Sequence, residues 1–312
     1  MTTMDAAAES TPGSARPVRT SALRLLLRDR AAVAGVVVIV IVVVVALAAP
    51  LVVRIPGQDP YTYHRSVLNG RGAPRGAFGG VSGSHWFGVE PLTGRDLFSI
   101  VVYGARTSIL VGLAATVIST VIGTVVGAAA ALFGGWIDRL LSRVVDVMFG
   151  IPVLIFMIAL GAFAPTALPK WLLVTLIVGF LGWPPTARIV RAQCLSLVRR
   201  NFVLASRAMG GGPWHVLREQ LLPNLLGILI VVVTVAIPYN IGYEAALAFL
   251  GVGVPPPTPS WGRTISSAIA WIATDPWYLL GPAGALFVIT FAFNLLGDGL
   301  RDAFDPRAGG RR

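Results

Sequence analysis

The residues able to do chemistry are few, and they lie far apart along the chain. Among 312 residues there are 14 aspartates and glutamates, three histidines and one cysteine. The single lysine, Lys170, follows Pro169. The Gly-Lys-Ser/Thr signature that lets a lysine reach nucleotide phosphates is therefore missing. His64, His85 and His215 fall outside the apolar runs, which leaves no histidine site for a metal or a proton relay inside them. Cys194 by itself makes neither an internal disulfide nor a multi-cysteine metal site. Arg95 and Asp96 are neighbours in a polar stretch and read as structural ion-pair partners rather than catalysts. Glu244 stands apart as the one ionisable residue well inside the fifth apolar run. A charge at mid-depth in hydrocarbon costs about 2.5–3.5 kcal/mol on insertion scales, which makes it a functional candidate for lining a pathway. The competing reading is structural: the helical rise from Leu225 carries Glu244 near a surface, where that cost fades. No catalytic residue and no metal ligand set is expected.

The elements that position these groups follow from composition. The chain is 55% hydrophobic and only 12% charged, with mean hydropathy +0.76. Soluble domains carry roughly 25% charged residues, and one this apolar would expose large greasy patches. The net charge of +11 does not imply nucleic acid as a partner, because the arginines are spread over loops flanking apolar runs. The lipid bilayer is the expected surrounding, and the fold class is an all-α integral membrane protein.

Residues 1–20 are rich in Ala, Ser, Thr, Pro and Arg and read as a disordered tail within a cytoplasmic segment, 1–30. Residues 31–53 carry no charge and suffice to cross a core of ~30 Å. The run is longer than the roughly 7–15 residues of a signal core, so it is read as an anchor rather than a cleaved signal. A polar, glycine-rich segment, 54–103, follows. The second span is expected from near Thr107 to Phe133, with Gly112, Gly123 and Gly127 permitting close helix approach. A short charged turn with Asp138, Arg139, Arg143 and Asp146 leads to a third span over 147–164. Residues 165–170 make a tight turn, and a fourth span over 171–189 should kink at Pro184-Pro185. A fifth span covers 223–247 and a sixth 279–296, before a basic tail, 299–312. Six transmembrane helices result, five of them in a core over 104–298.

Basic residues orient them. Arg24, Arg28, Arg30, Arg139, Arg143, Arg188, Arg191, Arg199, Arg200, Arg207, Arg218 and Arg301 fall on one side, with Arg16, Arg19, Arg307, Arg311 and Arg312 of the tails. The positive-inside rule places both termini, and the loop 199–224, in the cytoplasm. On the other side, Ile265, Ala268, Ile269 and Ile272 recur at helical spacing, so residues 263–273 are expected as a short amphipathic helix. Trp261, Trp271 and Trp277 suit a membrane–water interface.

The loop reads R-R-N-F-V-L-A-S-R-A-M-G-G-G-P-W-H-V-L-R-E-Q-L-L-P-N from Arg199. A helix over 202–212 should end at Gly211, Gly212 and Pro213. A second short helix is expected from Trp214 to Leu222, with Pro223 opening the next span. Ala205, Gly210 and Leu222-Pro223 resemble the E-A-A-x3-G-x9-I-x-L-P loop of bacterial ABC-importer permeases. Ser206 fills the second alanine position, Leu204 stands where that family has glutamate, and Gln220 where it has isoleucine.

Further blocks resemble the C-type permease of dipeptide, oligopeptide and nickel importers. They are F-G-V-E-P-L-T-G-R-D-L-F-S from Phe87, Y-G-A-R-T-S from Tyr103, F-G-G-W-I-D-R from Phe133 and G-W-P-P-T-A-R-I-V-R from Gly182. E-A-A-L-A-F-L-G-V-G from Glu244, P-P-T-P-S-W-G from Pro256 and F-N-L-L-G-D-G-L-R-D-A-F-D-P-R from Phe293 continue the series in order. The resemblance implies a type I ABC importer permease fold with a cytoplasmic coupling helix, 202–212, seated on an ATPase. Phe202, Leu204, Ala205, Ser206, Arg207, Met209, Gly210, Gly211 and Pro223 would form that contact. With leucine in place of the family glutamate, the seat would rest on packing by Leu204 and Met209 and on Arg207.

The resemblance further implies a multi-pass subunit of the cell inner (plasma) membrane. Its partners would be a homologous B-type permease, one or two ABC ATPase subunits and an extracytoplasmic solute-binding protein. Trp261, Arg263 and Trp271 are candidates for receiving the last of these. ATP and magnesium would be bound by the ATPase, and no cofactor by this chain. The expected function is ATP-driven import of peptides or a related small solute, without enzymatic activity of its own. The rival readings are a secondary transporter, or a membrane-embedded enzyme or assembly factor. The first would favour several intramembrane charges and inverted repeats; the second would need clustered reactive groups within the spans.

Overall fold

The computed structural model describes residues 22–163 and 168–304. The tail read over 1–20, the end of the third span, the first half of the turn over 165–170 and Arg307, Arg311 and Arg312 lie outside them. The described residues form helices and turns, with two isolated backbone bridges, Leu68 to Pro74 and Val89 to Asp96.

Helix α1 (Ala22–Arg28) precedes α2 (Arg30–Leu47) and a short α3 (Ala49–Val52). Asp29 starts α2 because its carboxylate accepts the Ala31 and Ala32 amides at 2.9 and 3.3 Å, satisfying donors that a helix start leaves orphaned. The valine-rich body of α2 stays helical because hydrocarbon leaves backbone groups no partner but each other. The anchor read over 31–53 is thus α2 with α3.

Helix α4 (Leu97–Phe133) begins ten residues before the expected Thr107. The cause is Asp96, whose carboxylate accepts the Ser99 amide at 2.8 Å and the Ser99 hydroxyl at 2.6 Å. The boundary drawn at 103 therefore falls inside a helix. At ~1.5 Å per residue α4 is about 55 Å long, well beyond a ~30 Å core. It packs against α2 and nearly every later helix. Its small residues form the contact face: a Cβ at Gly127 would stand 2.5 Å from the Ala187 carbonyl oxygen and 2.9 Å from the Arg191 amide, so only glycine lets the two backbones approach this closely.

Helix α5 (Gly135–Gly150) replaces the expected charged turn. Asp138 meets Arg191 at Nη2 to Oδ2 2.7 Å, and Asp146 meets Arg188 at 2.9 Å. These partners lie about fifty residues on in sequence and give the charges a use within a helix. Helix α6 (Val153–Phe163) follows after a bend of 86° at Ile151-Pro152. Among the described residues five helical stretches are long and apolar enough to span a membrane, and α5 with α6 supplies a sixth only as a bent pair.

Helices α7 (Lys170–Leu181) and α8 (Pro184–Leu197) form the fourth span, broken at Gly182-Trp183 just before the two prolines. Proline is tolerated there because the first turn of a helix needs no amide donor. Helix α9 (Asn201–Ala208) is followed by α10 (Pro213–His215) and a π-turn over Val216–Leu221 that runs into α11 (Leu222–Phe249). The separate helix expected to end at Leu222 is instead continuous with the fifth span. The Leu222 amide bonds five residues back to the Leu217 carbonyl, a widened turn that leaves Pro223 in the first turn of α11.

Helix α12 (Trp261–Ile269) starts and ends earlier than the helix read over 263–273, because Ser260 caps it. Helix α13 (Trp277–Phe304) closes the bundle and carries the sixth span past residue 298. One buried cluster joins α4, α6, α7 and α11 through Val111, Ala115, Met157, Val178 and Leu247. A second joins α2, α4, α11, α12 and α13 through Ala46, Ile109, Ile241, Trp261 and Phe293.

Candidate functional site

The surface at the α9 end is built on a packed root. Val203 and Ser206 are buried, and Val203 clusters with Ala128 and Ala131 of α4, Cys194 of α8, and Val216, Leu221 and Leu225. The rest of the helix is exposed: Phe202, Ala205 and Met209 share one face, with Met209 83% exposed, and Leu204 and Arg207 lie on the other side. The face that Phe202, Ala205 and Met209 share is left exposed, because only Val203 and Ser206 point at the neighbouring helices. An exposed row of apolar side chains on a helix with a fixed base marks a contact surface.

The helix closes at Gly210, whose φ of +90° is the left-handed conformation glycine adopts without strain. The Gly211 amide then reaches back to the Ser206 carbonyl at 2.9 Å. Termination is thus at Gly210, one residue before the expected Gly211. Pro223 is exposed but lies in the first turn of the continuous helix α11, apart from α9.

A groove of about 750 Å³ opens between α6, the α7–α8 junction, α11 and the end of α13. Met157, Leu181, Val231 and Val235 make it apolar, and Gln193, Tyr239, Asn240 and Tyr243 bring polar atoms to it. The sequence reading missed these polar residues. The signal was present: Tyr239 and Tyr243 are one helical turn apart, and Asn240 is an uncharged polar group inside a span. Asn240 is held in place by donating to Thr116 Oγ1 at 2.8 Å.

Glu244 is not part of that groove. It is fully buried and accepts the Ser108 and Ser260 hydroxyls, both at 2.9 Å. The pathway reading is corrected by these partners, which turn the carboxylate away from α6 and toward the α4–α12 side. Trp261 is likewise corrected as a docking residue. Its ring is buried, and Nε1 donates to the Val101 carbonyl at 2.8 Å, because an indole taken out of water needs that acceptor. Arg263 and Trp271 are half-exposed, and Trp271 packs against the cluster of Leu97, Ala268 and Tyr278.

Arg95 and Asp96 do not pair with each other. Arg95 donates to Glu90 Oε2 at 2.7 Å and to the Pro257 carbonyl at 3.2 Å. Asp96 Oδ1 faces His85 Nδ1 at 2.9 Å. Glu90 also accepts the Tyr278 hydroxyl at 2.8 Å. Burial pushes the Glu90 carboxyl up, but the hydrogen bonds from Arg95, Thr93 and Tyr278 outweigh it and hold it below the usual carboxylate range. Among the described residues no group of three or more histidines, cysteines or carboxylates is placed to hold a metal ion.

Known proteins share this architecture. The family described as "Binding-protein-dependent transport system inner membrane component" matches residues 119–310. The "N-terminal TM domain of oligopeptide transport permease C" matches 20–72. A Brucella ovis protein with the provisional name of peptide permease is 39% identical, covering 96% of this chain and 94% of that one. The oligopeptide transport system permease protein OppC of Bacillus subtilis is 36% identical, covering 96% and 95%. The dipeptide transport system permease protein DppC of the same organism is 35% identical, covering 92% and 85%. Among solved structures, a chain of the inward-facing MetNI methionine ABC transporter aligns with a TM-score of 0.55 at 22% identity, covering 67% of this chain and 98% of that one.

Proposed function

This chain belongs to the family of binding-protein-dependent transport system inner membrane components, and from that premise we propose which solute it moves and how it is driven. It is the multi-pass permease subunit of an ABC importer, a non-catalytic membrane component that works with an ATPase. Its cargo is a di- or oligopeptide. The relatives named for oligopeptide and dipeptide transport support this, as does a groove of mixed apolar and amide or phenol lining. Such a surface meets varied side chains with packing and a peptide backbone with hydrogen bonds.

The groove is the half of the pathway that this chain contributes, completed by a homologous B-type permease. Helix α9 is the coupling helix, and one or two ABC ATPase subunits that bind ATP and magnesium engage Leu204, Met209 and Arg207. An extracytoplasmic solute-binding protein delivers the peptide at the opposite end. Both termini and α9 are cytoplasmic, supported by the arginines gathered at the α9 end.

One observation carries the coupling role: the exposed apolar side chains Phe202, Leu204 and Met209 on a helix fixed to α4, α8 and α11 through buried Val203. The test is co-purification of the ATPase with the wild-type chain and with Leu204→Asp/Met209→Glu. Retention by the first and loss by the second is expected. Equal retention by both would remove α9 from the coupling role.

A further inference from the structure

The segment before α4 is a stitched platform rather than a loose loop. Asn69 Oδ1 accepts the Arg71 and Ala73 amides at 2.9 and 3.0 Å. The Asn69 amide bonds the Ala73 carbonyl, and the Arg75 amide bonds the Val67 carbonyl, both at 2.8 Å. Together these close a hairpin over 67–75. The Leu92 amide bonds the Gly72 carbonyl at 2.8 Å, which fixes the hairpin tip against the turn that Glu90, Thr93 and Arg95 lock.

Two features of this platform have no use within the chain. Arg65, Arg71 and Arg75 are exposed on the hairpin and its approach. Among the described residues no carboxylate pairs with any of them. Leu92 adopts φ +64° and is nevertheless 64% exposed. A branched side chain pays for left-handed backbone that glycine adopts freely, and such strain gathers at functional surfaces. The turn thus holds an apolar side chain out in solvent beside three unneutralised cations.

We propose that this platform, with Leu92 as anchor and Arg65, Arg71 and Arg75 as rim, is the surface that receives an acidic face of the solute-binding protein. The inference rests on the importer reading above. An apolar centre ringed by arginines is the composition of a protein contact, with the charges raising the rate and selectivity of encounter. A lipid headgroup layer would match the charges but has no need of a rigid, strained turn.

The test uses the assembled importer in nanodiscs and the solute-binding protein that stimulates its ATP hydrolysis. Arg65→Glu/Arg71→Glu/Arg75→Glu is expected to weaken receptor binding at least tenfold at low salt and to flatten its salt dependence. Leu92→Gly relieves the backbone and so preserves the fold, and it is expected to weaken binding several-fold. Basal ATP hydrolysis should stay unchanged in both. Unaltered affinity and salt dependence in both variants would overturn the proposal. So would loss of binding to phosphatidylglycerol vesicles with receptor affinity kept, which assigns the arginines to lipid. If the wild-type assembly bound no such receptor at all, the receptor itself would fall, a result separable from failure of this surface.

Discussion

Glu244 of α11 and Ser260 at the start of α12 are joined side chain to side chain, Ser260 Oγ donating to Oε1 at 2.9 Å. Ser108 of α4 donates to the second oxygen at the same distance. One carboxylate therefore ties three helices at the end that carries the platform. Glu244→Ala should cost about 1–3 kcal/mol by leaving both hydroxyls without their acceptor. Glu244→Gln, which retains an oxygen for one serine and an amide for the other, should cost about 1 kcal/mol or less. Thermal unfolding of the purified chain checks the order. Equal loss in both variants would mean that the charge, not the hydrogen bonding, is required.

The exposed row on α9 separates folding from coupling. Surface substitutions there should change stability by about 0.5 kcal/mol or less, so Leu204→Asp and Met209→Glu should insert and melt like the wild type. ATP-coupled peptide uptake should fall at least tenfold. Gly210→Arg should abolish uptake as well, since it adds a long charged side chain at a left-handed position on the same rim. Normal uptake by these variants would count against the proposed contact.

Acid should loosen the platform through Glu90. Its carboxyl lies below its ordinary value, so the stability it gives is complete above the unfolded value of about 4.3 and is lost as pH falls through the lower folded value. Limited proteolysis between residues 54 and 96 across pH 3–7 should show protection at neutral pH and cleavage at the acid end. Glu90→Gln should be more readily cleaved at pH 7 and show a flatter profile.

Close approach of α4 and α8 is set at Gly127. Gly127→Ala would press a methyl against the Ala187 carbonyl and the Arg191 amide, and backbone yields less readily than a side-chain tip. A loss of about 1–3 kcal/mol is expected, read as a lower unfolding temperature. Gly134→Ala is no suitable control, because that glycine carries positive φ; Gly150→Ala, with open space around it, should be nearly neutral.

What the sequence made legible was whatever depends on local pattern. The uncharged run over 31–53 became α2 and α3, Pro184-Pro185 marked the break in the fourth span, and the small residues of α4 marked its contact face. The ordered blocks from Phe87 onward pointed to the family. What stayed hidden depended on partners distant in the chain. Asp138 and Asp146 read as a turn because Arg191 and Arg188 are invisible to a local window. Trp261 read as an interfacial ring because its acceptor, Val101 O, lies 160 residues away. Glu244 read as a possible pathway group because nothing local reveals Ser108 and Ser260. The root of α9 was hidden for the same reason: Val203 is no more apolar than its neighbours, and only α4 and α8 decide which of them is covered.

The π-turn over Val216–Leu221 has a rotational consequence. A turn of this kind inserts one residue into the helical count, and each residue of an α-helix advances the azimuth by about 100°. The face that α11 offers the groove, with Tyr239, Asn240 and Tyr243, is therefore phased by an insertion some twenty residues upstream. Deleting Glu219 would let the ladder revert to regular winding and swing those three side chains by roughly a quarter revolution, taking from the groove the polar atoms that α11 brings to it without touching any residue that lines it.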